Sequence, residues 1–283
     1  MSRKWIVYPL LVLAVAALGV AGLAKETLVE SQWAATPIKI DGLDQDWQGA
    51  TYLTDPDSKA QFAVKNDGNN LYILFLFKDA MSSSTIEYTG MKIFFNADGK
   101  KSKDLGIHFS KKEITPDELI ASLEKKGEAL TDERKAEIRK QKAYYLFQAD
   151  VINDKKLAAP TDPAVQTDPP LYHSARQQRV LCWEFRIPLG RTNQPGGIGT
   201  EPGKTIKVGF EWGGMTSQVM KDMMASSAAG AGMAGQDLGI TGTMNPDMAT
   251  TGNLRSGGGD FRRDPRTKLH SFWVDVMLAT KGS

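Results

Sequence analysis

The run Leu71-Tyr72-Ile73-Leu74-Phe75-Leu76-Phe77 is apolar throughout and is bounded by Asn69-Asn70 and Lys78-Asp79. A stretch of that length, rich in aromatics and closed by polar turn residues, predicts a strand covered on both faces. Further strands are expected at Pro37 to Ile40, Ala60 to Lys65, Met91 to Asn96, Leu105 to Phe109, Tyr144 to Ile152, Val180 to Ile187, Thr205 to Trp212 and Leu269 to Leu278. Helix signals are confined to one stretch. Thr115-Pro116-Asp117-Glu118 is a capping box with Pro at the first helical position, and Thr131-Asp132-Glu133 starts a second short helix reaching about Gln141. The pattern is all-β: an antiparallel β-sandwich, about residues 36–280, with a two-helix insertion over 115–141. There is no regular βαβ alternation, which excludes a doubly wound nucleotide fold.

Period-two alternation separates the faces of the later strands. Leu181, Trp183, Phe185 and Ile187 fall on one side, against Cys182, Glu184 and Arg186. Ile206, Val208, Phe210 and Trp212 oppose Lys207, Gly209 and Glu211. Trp183 and Trp212 are therefore expected in the core. In the last strand Phe272, Val274, Val276 and Leu278 form the apolar row, which turns Trp273 to the other face with Ser271 and Asp275.

Two stretches do not follow this pattern. Residues 213–259 hold 11 of the 27 glycines, and Met215 to Met248 hold seven of the 11 methionines. With neither period nor sustained apolar face, this segment is expected to be a long disordered Gly/Met-rich loop. Pro160 to Pro170 forms a second, shorter loop.

The first 24 residues bear on the compartment. Arg3 and Lys4 precede an uncharged apolar run from Trp5, which ends in Gly22-Leu23-Ala24. This is the form of a cleaved signal peptide, with residues 25–35 as a linker before the sandwich; an uncleaved membrane anchor is the alternative. No Cys follows the run to take an acyl anchor. The mature chain is expected in the periplasm or outside the cell, with no membrane association after cleavage. Without Arg3 and Lys4 the body balances 33 basic against 33 acidic side chains, which argues against nucleic acid as a partner. Cys182 stands alone, so there is no internal disulfide framework and no zinc site of several thiolates.

The order of segments resembles a known family. Ile38-Lys39-Ile40-Asp41-Gly42-Leu43-Asp44-Gln45-Asp46-Trp47, then Asn69 to Phe75 with Asp79 beyond, then Trp183-Glu184-Phe185-Arg186-Ile187-Pro188-Leu189 and Ile206-Lys207-Val208-Gly209-Phe210 are similar to the family 9 carbohydrate-binding modules and their relatives in the DOMON-like superfamily. The resemblance spans about Thr36 to Ala279. It implies an extracytoplasmic β-sandwich that binds a sugar or, in other branches, a haem. It further implies that Trp47 anchors the opening segment and that an acidic residue such as Asp79 serves at the rim. The helical insertion and the Gly/Met-rich loop depart from the family pattern.

No His-Glu-x-x-His, Gly-x-Ser-x-Gly, Walker or Gly-x-Gly-x-x-Gly motif is present, so no enzyme is expected. His173, beside Ser174, is read as a surface histidine in a Pro-rich loop. Glu184 could orient a sugar hydroxyl or make strand-face pairs with Arg186. Asn96-Ala97-Asp98-Gly99-Lys100 with Ser102 and Asp104 offers oxygen ligands for a structural calcium, although a polar hairpin turn accounts for it better. Met220, Met223 and Met224 could hold copper(I) or simply belong to the loop. A haem could draw on His108, His173 or His270, but Cys-x-x-Cys-His is absent.

The expectation is a non-catalytic domain that binds a glycan or cell-wall polysaccharide, with a haem- or metal-binding redox domain on the same sandwich as the alternative. Trp273, Trp33 and Tyr172 are the candidate sugar-stacking aromatics, with Asp79 as the polar group. Trp273 is turned from its apolar row, Trp33 precedes the first strand, and Tyr172 is placed in a loop.

Overall fold

The computed structural model describes residues 27–125, 127–158, 168–192, 195–216, 218–219 and 265–282. The expected signal peptide, most of both loops and Met220, Met223 and Met224 lie outside them. In chain order the elements are β1 (Leu28–Glu30), β2 (Gln32–Trp33), β3 (Leu53–Thr54), β4 (Gln61–Asn66), β5 (Asn70–Phe77), α1 (Ala80–Thr89), β6 (Met91–Asn96), β7 (Leu105–Ile114), α2 (Pro116–Lys125), α3 (Asp132–Ile138), β8 (Tyr144–Asn153), β9 (Lys156–Leu157), β10 (Leu171–Gln177), β11 (Val180–Pro188), β12 (Thr205–Gly213) and β13 (Leu269–Met277). Two sheets form the expected sandwich. The first has the order β1-β13-β12-β6-β7-β8-β9, and the second β10-β11-β5-β4-β2 with β3 also on β4.

Between the sheets lies one core, built from the inward rows that alternation marks. It includes Phe62, Phe75, Phe77, Phe109, Trp183, Phe185, Phe210 and Trp212. Phe75 meets Phe210 edge-on at 5.0 Å and Phe77 meets Trp212 at 5.9 Å, so aromatic rings of the two sheets interlock across the interior.

Several expectations need correction. Pro37 to Ile40 is not a strand, whereas Leu28–Glu30 and Gln32–Trp33, inside the expected linker, are. These two strands pair in parallel, β1 with β13 and β2 with β4, so the sheets are mixed. Ser31 lies between them. Its hydroxyl donates to Asn66 Oδ1, while the Ala279 amide donates to both Ser31 Oγ and Asn66 Oδ1 at 2.8 Å, joining the opening segment to the end of β4 and to the chain just after β13. The helix α1 was not expected, because Ser82-Ser83-Ser84-Thr85 has weak helix propensity and no apolar period. Its start is set by Asp79, which as N-cap accepts from the Ser82 amide at 2.7 Å. The insertion helices α2 and α3 form as expected, and Thr115 and Glu118 close their capping box.

Candidate functional site

The outer faces of the two sheets carry different chemistry. On the second sheet, Tyr72, Leu74, Leu76, Ala63 and Cys182 face away from the main core, and residues 34–52 lie over them, burying Ala34, Ile38 and Trp47. Glu184 holds this cover in place. It is fully buried, accepts from the Trp47 indole Nε1 at 2.7 Å, and accepts from the Asp41 and Gly42 amides at 3.0 Å each. The Ile-Asp-Gly step now has a physical reason. Gly42 has φ +77°, and a Cβ there would fall 2.6 Å from the Ala175 amide nitrogen and 2.7 Å from the Ser174 carbonyl carbon. Burial pushes the Glu184 carboxyl up to about 7, although the donors from Trp47, Gly42 and Asp41 pull the other way. Burial likewise pushes the Cys182 thiol up to about 12, as suits an inert buried sulfur. Of the two readings of Glu184, neither a sugar contact nor a pair with Arg186 is realised; it is a clasp.

On the first sheet the outward residues form an ordered surface. Following the register across β13, β12, β6, β7, β8 and β9, one transverse row reads Trp273, Gly209, Phe94, Gly106, Ile152 and Leu157. The two glycines make room for the rings. A Cβ on Gly209 would come within 2.7 Å of the Trp273 indole, and one on Gly106 within 2.7 Å of Phe94 Cδ1. Both rings therefore lie down across neighbouring strands, and they stack on each other at 6.2 Å with 24° between planes. The adjacent row is polar, with Ser271, Glu211, Lys92 and His108 in register. On the other side of Trp273, Lys207 pairs with Asp275 at 2.5 Å.

Lys103, from the β6–β7 connection, reaches Glu211 and lies 5.5 Å over the Phe94 ring. Lys92 meets the same carboxylate at 3.4 Å. Burial would raise the Glu211 carboxyl, but the two ammoniums outweigh it and hold it below its usual value. From Phe94 toward Leu157 the surface sinks into a trough of about 670 Å³ with Phe94, Ile152 and Leu157 among its apolar residues and Lys92, Lys103 and Glu211 among its polar ones.

The four candidate site residues are not brought together. Trp273 is half-buried on the outer face of the first sheet, as alternation required. Trp33 is half-buried at the edge of the second sheet, in β2. Asp79 is exposed, and its carboxylate is engaged as the cap of α1. Tyr172 is a correction: it lies in β10 and not in a loop, is 1% exposed, and stacks on Trp183 at 5.1 Å. A ring so enclosed offers no face to a sugar. His173 is also in β10, against the Phe147 ring at 4.2 Å, and burial pushes its pKa down. The row members missed from sequence were Phe94, Ile152 and Leu157. The glycines at Gly106 and Gly209 were the available signal, since glycine inside a strand marks a close approach.

For the metal and haem readings, the oxygen-rich turn uses its groups internally. Asn96 Oδ1 accepts from the Asp98 and Lys100 amides at 2.9 and 3.1 Å, and Ser102 donates to Asp104 at 2.5 Å. His108, His173 and His270 occupy three different strands, with His270 stacked on Trp212 at 5.2 Å. Among the described residues no group of three or more His, Cys, Asp or Glu side chains is arranged to hold a metal ion. Nor is any helix among them long and apolar enough to cross a membrane.

No family model matches the chain, and no curated protein matches it. Among solved structures, it is similar to a family 9 carbohydrate-binding module from Caldicellulosiruptor kristjanssonii in complex with glucose, with a TM-score of 0.35 and 14% identity, covering 68% of this chain and 81% of that one. A structure of such a module from the same organism in complex with cellotriose gives a TM-score of 0.35 at 13% identity, covering 68% and 80%.

Proposed function

We propose that the chain is a non-catalytic carbohydrate-binding domain whose binding surface is the outer face of the first sheet. One observation carries this reading: along the row Trp273, Phe94, Ile152 and Leu157, the half-buried Trp273 ring and the exposed Leu157 leave apolar surface open at the two ends of a floor whose middle, Phe94 and Ile152, is buried, beside the hydrogen-bonding side chains Lys92, Lys103 and Glu211. A pyranose has an apolar C–H face and an equatorial rim of hydroxyls, so it needs these two kinds of surface next to each other. The floor lies on β-strands, whose backbone is fixed before ligand arrives, which limits the ordering cost of binding. Trp33 and Asp79 stand outside this surface and are not assigned to it. Export to the periplasm or beyond belongs to the same proposal, and N-terminal sequencing of the exported chain should begin near Lys25.

The test is affinity electrophoresis of the mature chain in gels cast with soluble plant and bacterial polysaccharides, repeated with Trp273→Ala. Retardation by at least one polysaccharide that weakens in the variant is the expected result. Retardation by none, or one indifferent to Trp273→Ala, would remove this surface as the site.

A further inference from the structure

We infer that the trough selects an acidic polysaccharide, a chain bearing uronate carboxylates, over a neutral one. This rests on the carbohydrate-binding reading and adds the substrate class. Lys92, Lys101, Lys103 and Lys155 all line the trough, and Glu211 is the one carboxylate among its lining residues. The whole chain is close to neutral, with 35 basic against 33 acidic side chains, so this surplus is a local arrangement rather than a consequence of composition.

The surplus is not cancelled by Glu211. Lys92 and Lys103 converge on that single carboxylate, and both remain about half exposed. Two cations on one anion leave a net positive charge directly above the Phe94 ring, where Lys103 already sits. Lys155 adds a fourth ammonium at the rim, shared with Asp104 at 3.6 Å. A neutral glycan would have to displace water from these ammoniums and return only hydroxyl contacts. A uronate returns charge-assisted hydrogen bonds, which are stronger, while its ring C–H groups rest against the exposed Leu157 side chain at the trough.

The experiment uses the mature chain and three probes: polygalacturonate, the neutral polymer made from it by reducing its carboxyl groups, and polyglutamate, which has the charge without the sugar. Titration calorimetry at low salt should show binding to polygalacturonate, and little to either of the others. The double variant Lys92→Gln/Lys103→Gln, at two partly exposed positions, should bind polygalacturonate roughly tenfold more weakly. Equal affinity for the carboxyl-reduced polymer would overturn the acidic preference and leave the carbohydrate reading standing. Equal affinity for polyglutamate would show that the surface reads charge alone and would overturn both, whereas binding of no probe would overturn the acidic preference and leave the carbohydrate reading to the electrophoresis. Tight polygalacturonate binding untouched by the double variant would place the site outside this trough.

Discussion

The two outer faces of the sandwich follow the same alternation and have opposite fates. On β11 the outward row is Cys182, Glu184 and Arg186, and residues 34–52 cover its first two members, so that Glu184 is fully buried and serves as an acceptor for the cover. On β12 the outward row is Lys207, Gly209 and Glu211, and there the glycine lets Trp273 lie down while Glu211 joins the wall of a trough. A buried carboxylate with three donors and a carboxylate shared by two lysines have the same pattern in sequence. The difference is in what the rest of the chain places above them. The covered face should therefore respond to substitution mainly through stability, and the open face through binding.

Trp47→Ala attacks the cover directly and should have the largest effect. It removes a 1%-exposed indole and leaves Glu184 Oε1 without its donor, at a cost of about 3 to 5 kcal/mol, read as a lower urea midpoint. Polysaccharide affinity of the folded fraction should be unchanged. A change in affinity with stability intact would reverse the contrast between the faces.

Glu184 should give a pH signature of the covered face. Its folded pKa, about 7, lies above the ordinary carboxylate value, so the folded state holds a proton that the unfolded chain has released. Its contribution is therefore most favourable at low pH and is lost as pH rises from about 4.5 to 7, by about 2 to 4 kcal/mol. Comparing the pH dependence of urea midpoints for the parent and Glu184→Gln isolates this slope, which should be missing in the variant. The same slope in both proteins would mean that Glu184 is ionised throughout, held so by its three donors.

Gly42→Ala sharpens the same point without touching a charge. A left-handed φ and a backbone contact of 2.6 Å should together cost about 1 to 3 kcal/mol in thermal or urea unfolding. On the open face Trp273→Ala should cost less than Trp47→Ala in stability, while polysaccharide retardation weakens. Lys92→Gln, at a residue half open to water, should change stability by no more than about 0.5 kcal/mol. A large loss of stability from Lys92→Gln would show that this face too is structurally closed.

Much of the framework was legible in the chain. Met91–Asn96 forms over the expected residues, and β11, β12 and β13 differ from expectation by a single residue at one end. Trp183 and Trp212 are core, Trp47 is buried, and Trp273 points to the outer face. These outcomes depend on a local rule, that successive strand residues point to opposite sides. The misses share a different origin. The β10 strand, Leu-Tyr-His-Ser-Ala-Arg-Gln, is too polar and too close to prolines to look like a strand, and it forms because β11 pairs along its whole length. Tyr172 reaches the core through that pairing. The parallel β1 and β2 are likewise too short to stand alone and exist through partners distant in sequence.

The amino-acid sequence by itself determined which side of each long strand is apolar and where the insertion helices begin. Tertiary structure alone decided which outward faces are covered. Glu184 meets Trp47 across 137 residues of chain, and Phe94 comes beside Trp273 only because β12 lies between their strands. A period of two specifies a direction from the backbone, but burial depends on what lies in that direction, and here that is supplied by distant segments through pairing and packing.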